Sequence, residues 1–308
     1  MRDKVTIIGA GNVGATTAHW LMGRNICDVV LVDVVEGIPQ GKALDLYEAT
    51  PITGASIKVV GDQDYAATAG SSVVVVTAGF ARKPGMSRDD LLTMNNDVVA
   101  QVVKKAVDAS PDAVFIVVTN PADVMTYVTW KATGLPAERV MGMAGVLDSA
   151  RFRVFLAAEL GVSPKDVVAF VMGGHGDQMV PLTRYSSVGG IPIETLVPKE
   201  RLDAIVKRTR TGGGEIVNLL KSGSAYFAPG ASVTEMVESV LGDQKRVIPV
   251  IAHLDGQYGE NDIYVGVPAL IGRGGVEKIF EIEFTSEEAE AFRNSVKGVR
   301  EPLSVLGF

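Results

Sequence analysis

Five apolar stretches in the first 120 residues constrain this chain more than any other feature. VTIIG (residues 5–9), VVLVD (29–33), SIKVVG (56–61), SVVVVTAG (72–79) and AVFIVVTN (113–120) are rich in β-branched residues and lack clean apolar–polar alternation. Strands read this way when both faces are buried, as in a parallel sheet covered by helices. Helical patterns lie between them at 13–24, 41–48, 89–109 and 122–133, and a sixth strand is expected near 139–143. Such alternation implies right-handed crossovers and predicts a doubly wound α/β domain.

After about residue 145 the rhythm changes. Residues 147–160 read as a long helix, VVAFVMGG (167–174) as a strand, and 201–221 as a helical region interrupted by Gly212, Gly213 and Gly214. RVIPVIA (246–252), IYVGVPALIG (263–272) and VEKIFEI (276–282) are strand candidates close enough to favour antiparallel pairing, and a helix over 286–305 closes the chain. The second half therefore reads as α+β. We expect two domains, 1–145 and 146–308, and 308 residues suffice for a core in each.

Composition narrows the functional classes. An apolar content of 47% fits a globular chain with little disorder, and no apolar run approaches the roughly 18 residues of a membrane helix. MRDKVTIIGAG enters a strand-like run directly, without the plan of a signal peptide, so the cytoplasm is expected and no membrane partner. The single cysteine, Cys27, excludes an internal disulfide framework, and beside VVLV it reads as a buried hydrophobe. A net charge of −7 without a basic stripe argues against nucleic acid. Any anionic ligand must then be drawn by local positive groups.

GAGNVG, Gly9 to Gly14, supplies a first local site. It follows one predicted strand and opens a helix, and Asp33 ends the next strand, which is the context that makes a G-x-G-x-x-G stretch informative. Gly9 permits the turn, Gly11 admits a pyrophosphate to the backbone, and Gly14 allows close helix–strand packing. Free N–H groups at the helix start favour phosphates. Asp33 suits a ribose 2′-hydroxyl and repels a 2′-phosphate, favouring NAD over NADP. A structural glycine turn beside a surface aspartate is the alternative.

Three further stretches carry charge or titratable groups. GFARKPGMSRDDLL, residues 79–92, concentrates Arg82, Lys83 and Arg88 just past the fourth strand, where open α/β sheets bind ligands. Arginine forks suit carboxylates, and the glycines would let this segment move as a lid; a solvated basic loop is the other reading. In LDSAR, Asp148 and Arg151 share a helix face, as an ordinary ion pair would. Asn120 adds a polar group at the end of the fifth strand. His175, in VMGGHGDQMVPL, is one of three histidines; glycines on both sides are expected to clear space around its ring. No HExxH or ligand cluster supports a metal, and no G-x-S-x-G supports a hydrolase. A general acid/base with Asp148 as its carboxylate partner is the chemical reading.

GAGNVG with Asp33, ARKPGMSR, TNPAD, GVLDSARFR and GGHGDQMVPL occur in this order over most of the chain, which resembles the lactate/malate dehydrogenase family, and within it the malate dehydrogenases of lactate-dehydrogenase-like sequence. The resemblance implies an N-terminal Rossmann domain and a C-terminal α+β catalytic domain. It implies reversible, NAD-dependent oxidation of (S)-malate to oxaloacetate, with His175 as proton acceptor or donor and Asp148 as its partner. Arg151 would hold the carboxylate next to the reacting carbon, Arg88 polarise the carbonyl, and Asn120 hydrogen-bond nearby. Gly9, Ala10, Gly11, Asn12, Val13, Gly14, Asp33, Asn95, Val118, Thr119 and Asn120 would contact the cofactor. Arg82, where lactate dehydrogenases typically carry glutamine, implies a distal carboxylate. The family also implies a homo-oligomer. Lactate dehydrogenase, and more remotely a catalytically silent NAD-binding protein, are the alternative functions.

Overall fold

The expected sheet forms, and it is larger than the first half alone supplies. The computed structural model describes residues 2–80 and 87–308, the side chain of Arg88 excepted. β1 (Lys4–Ile8), β2 (Asp28–Val32), β3 (Val59–Asp62), β4 (Val73–Val76), β5 (Val114–Val117) and β6 (Val140–Gly142) run parallel. Their side chains explain why: in β4 and β5 every residue is buried, so apolar β-branched groups occupy both faces. α1 (Asn12–Arg24), α2 (Ile38–Thr53), α3 (Arg88–Ala109) and α4 (Ala122–Thr133) make the crossovers.

Strand order across the sheet is β12 (Gly275–Ile279), β11 (Asn261–Gly272), β10 (Arg246–Asp255), β6, β5, β4, β1, β2, β3. It reverses between β4 and β1, leaving a crevice where the chain exits both strands, the usual ligand position in such sheets. β10 (Arg246–Asp255), β11 (Asn261–Gly272) and β12 (Gly275–Ile279) extend the same sheet antiparallel, β10 joining β6 through Ile251 and Gly142. One hydrophobic core therefore runs from Val5 and Phe115 to Tyr264 and Phe292.

α5 (Gly145–Leu160) leads to a small second sheet of β7 (Val167–Met172), β8 (Val180–Val188) and β9 (Ile191–Pro192). Phe152, Leu156, Val171, Ile193 and Leu202 form a separate core beneath it. α6 (Lys199–Leu220) is continuous through Gly212–Gly214, correcting the expected interruption. Helix–helix packing overrides glycine's cost of about 1 kcal/mol per residue: Gly212 lets α6 approach α5 where a Cβ would lie 3.3 Å from the Arg151 side chain. α7 (Phe227–Leu241), β8 and β9 were not expected from sequence. α8 (Ser286–Val305) forms as expected, begun by a reciprocal capping box between Thr285 and Glu288.

Candidate active site

The glycine-rich turn lies at the crevice. Gly9 takes φ 102°, and a Cβ on Gly14 would run into the Gly9 carbonyl oxygen. Gly11 caps α1 without a side-chain bond, and a Cβ there would meet nothing within 4 Å, so the first turn of α1 offers free N–H groups to open space. Asp33 stands at the end of β2, its Oδ2 accepting the Ala10 N–H at 2.7 Å and its Oδ1 the Val35 N–H at 3.0 Å. Asn12 is exposed and Val13 half-buried along the same turn. This cradle fits a dinucleotide: its donors face outward and its acid sits one strand over.

The opposite wall is made where β4 and β5 end. Asn120 is exposed, Val118 half-buried, and Thr119 buried with its hydroxyl donating to Ala78 O at 2.7 Å. Asn95 lies behind this wall rather than on it. It is fully buried, its Nδ2 donates to Asn120 O and Phe80 O, and its Oδ1 accepts the Phe80 N–H at 2.7 Å. Asn95 thus ties together the loops leaving β4 and β5.

α5 and the loop after β7 bring the expected acid/base group together. Asp148 is 2% exposed; its Oδ2 lies 2.9 Å from His175 Nδ1 and its Oδ1 accepts from Arg151 Nη1 at 3.0 Å. One carboxylate therefore orients both the imidazole and the guanidinium. The Asp148 charge and hydrogen bond hold His175 above its ordinary range, overcoming burial and Arg151, which act the other way. Nδ1 is engaged by Asp148, which leaves Nε2 for a ligand. Residues 81–86 of the expected lid (79–92), Arg82 and Lys83 among them, lie outside the described residues, as does the Arg88 side chain.

Gly173 and Gly174 also admit α8: a Cβ on Gly173 would strike Ser295, and one on Gly174 would strike Val299, whereas Gly176 faces open space. The loop is pinned from several sides. Gly173 pairs with Gly266 of β11, Ser295 Oγ accepts the Gly174 N–H at 2.7 Å, and Arg210 of α6 donates to Met179 O at 3.0 Å. Asp123, in the first turn of α4, accepts the His175 N–H at 2.8 Å. Burial pushes the Asp123 carboxyl up to about 6 despite that hydrogen bond. Sequence reading passed over both residues. The available signals were a serine on the buried stripe Phe292, Ser295, Val296, Val299 of α8, and an acid two residues after Asn120-Pro121.

Among the described residues, no group of three or more potential ligands could hold a metal ion, and no helix is long and apolar enough to cross a membrane. A cleft of about 670 Å³ opens on His175 between Asn120 and Asp123 on one side and Gly298 and Pro302 of α8 on the other.

Comparisons with known proteins agree along the whole length. Residues 3–142 match the family model of the lactate/malate dehydrogenase NAD binding domain, and residues 145–304 that of the lactate/malate dehydrogenase alpha/beta C-terminal domain. The chain is 60% identical to a malate dehydrogenase of Thermomicrobium roseum and 57% identical to one of Desulforudis audaxviator, with 99% of each chain covered. The solved malate dehydrogenase of Salinibacter ruber superposes with a TM-score of 0.95 at 49% identity, covering 99% of this chain and 97% of that one.

Proposed function

The chain belongs to the lactate/malate dehydrogenase family, and we propose that it catalyses the reversible, NAD-dependent oxidation of (S)-malate to oxaloacetate. The observation that carries this is the bridge from His175 through Asp148 to Arg151, which sets an acid/base group and a carboxylate fork side by side. Residues 1–145 hold the cofactor in this reading and residues 146–308 the substrate. Gly9 to Gly14, Asp33 and Val118 to Asn120 are the residues that would hold NAD, which when bound supplies the hydride acceptor.

Substrate malate is fixed through its C1 carboxylate by Arg151, whose fork gives two parallel charge-assisted hydrogen bonds. His175 accepts the hydroxyl proton at Nε2 as the C2 hydrogen leaves as hydride. Asp148 stabilises the imidazolium so formed and fixes the ring tautomer. In the reverse direction the imidazolium returns that proton to the alkoxide oxygen. Asn120 hydrogen-bonds near the same oxygen. Arg88 is assigned to the developing charge on that oxygen and Arg82 to the distal carboxylate, both on the sequence resemblance.

We place the enzyme in the cytoplasm as a homo-oligomer without nucleic-acid or membrane partners. Exposed large apolar side chains, Trp20 on α1, Tyr47 and Ile52 on α2 and Phe227 on α7, support contact with another copy. NADH consumption with oxaloacetate and with pyruvate, repeated with NADPH, tests the whole assignment. Preference for oxaloacetate and NADH is expected; preference for pyruvate would overturn the substrate, and equal use of NADPH the role of Asp33.

A further inference from the structure

Asp123 is the buried carboxylate that the reaction above leaves unused. It is 4% exposed, its Oδ2 accepts the His175 N–H, and its buried Oδ1 has no hydrogen-bond partner among the described residues. Leaving a buried carboxylate oxygen unpaired is costly. A residue needed only to hold a peptide N–H would do better as a neutral acceptor, and one position earlier Ser295 holds the Gly174 N–H with a hydroxyl. Adjacent peptide groups of one loop are thus held by two chemistries, and the charged one holds the peptide N–H of His175 itself.

Building on the reading of His175 as the acid/base group, we propose that Asp123 is a positioning residue that acts through His175, its negative charge stabilising the imidazolium in addition to Asp148 and so setting the pH at which the two directions exchange dominance. Among the described residues, the other charged groups around the pair are Asp148 and Arg151 on α5, Asp89 on α3, Asp177 in the loop and Glu301 on α8. Asp148 and Arg151 oppose each other in sign. Asp89, Asp177 and Glu301 are exposed, so solvent screens them. Asp123 is the buried charge among these without a cationic side chain bonded to it. Burial pushes the Asp123 carboxyl up to about 6, and the Asp148 charge holds His175 above its ordinary range.

Asp123→Asn retains an oxygen acceptor for the His175 N–H and removes the charge. His19, His175 and His253 are the three histidines, so the imidazole signals of isotope-labelled protein can be assigned with a His175→Asn control and titrated by NMR. We expect the His175 midpoint to fall by about one pH unit. The acid limb of malate oxidation and the alkaline limb of oxaloacetate reduction should move down with it. Asp123→Ser, which copies the hydroxyl acceptor of Ser295, should give the same shift. An unmoved midpoint in a folded variant overturns the inference and leaves Asp123 a structural hydrogen-bond acceptor. Loss of folding in both variants overturns it too. A wild-type pH–rate profile that fails to follow the His175 midpoint would instead remove His175 from acid/base work, which is a distinguishable failure.

Discussion

Replacing Asp148 by asparagine tests the centre of the site, because it removes one charge and nearly preserves the shape. Asp148 is 2% exposed and touches His175 at 2.9 Å and Arg151 at 3.0 Å. Opposite unit charges about 4 Å apart at an effective dielectric of about 20 attract by about 4 kcal/mol. In the proposed mechanism the imidazolium formed during malate oxidation loses an attraction of that order, and a hydrogen bond from its Nδ1–H to the amide oxygen restores about 1 kcal/mol. The remainder, about 3 kcal/mol, corresponds to a roughly hundred-fold fall in kcat. Arg151 also loses its brace, so KM for oxaloacetate rises.

The pH dependence has a definite sign. The Asp148 charge is the leading cause of the raised His175 basicity, so in Asp148→Asn the imidazolium persists only to lower pH. Oxaloacetate reduction, which in the proposed mechanism needs the imidazolium, should lose its alkaline range first. Stability follows the same linkage: a raised folded pKa stabilises fully below the unfolded value near 6.5, and the gain disappears as pH rises through the folded midpoint. The variant should therefore show a flatter stability profile over that window. Steady-state NADH absorbance in both directions across pH, with thermal melts alongside, reads all four effects. An Asp148→Asn enzyme with wild-type kcat and an unmoved pH profile would refute the coupling.

Other perturbations act on separate parts of the molecule. Gly14→Ala forces a Cβ against the Gly9 carbonyl, and overpacking of about 1–3 kcal/mol should weaken NADH affinity by about tenfold or more and lower Tm; unchanged fluorescence titration would rule the cradle out. Arg82→Gln should shift the ratio of kcat/KM values from oxaloacetate toward pyruvate, and an unaltered ratio removes Arg82 from specificity. Cys27 is fully buried with its thiol pushed up to about 12, so a thiol reagent at neutral pH should label it only after denaturation. Rapid labelling of native protein would contradict that burial.

What was legible in the sequence and what was not divide along a physical line. The apolar runs at Val73–Val76 and Val114–Val117 could be read because burial on both faces leaves no position for a polar residue. Gly14 and Asp33 could be read because a turn and a nearby acid are local requirements. α7 escaped because its first turn contains Pro229 and Gly230, which locally resemble a loop; the helix is stabilised by packing Val233, Met236 and Val237 into the core, with Gly230 fitting against Thr16 and Thr17 of α1. The glycines of α6 misled for the same reason, since their value lies in the approach to Arg151 and not in their own backbone.

The site shows the division most sharply. His175, Asp148 and Arg151 act with side-chain chemistry that each residue type announces. Ser295 and Asp123 act on peptide N–H groups 121 and 52 residues away, and a backbone donor leaves no mark in sequence to show which acceptor will meet it. Only the closed fold makes those partners. The sequence pattern therefore pointed to the groups proposed to handle the proton, whereas the groups that hold His175 in place became visible only when α4, α8 and β11 converged on its loop.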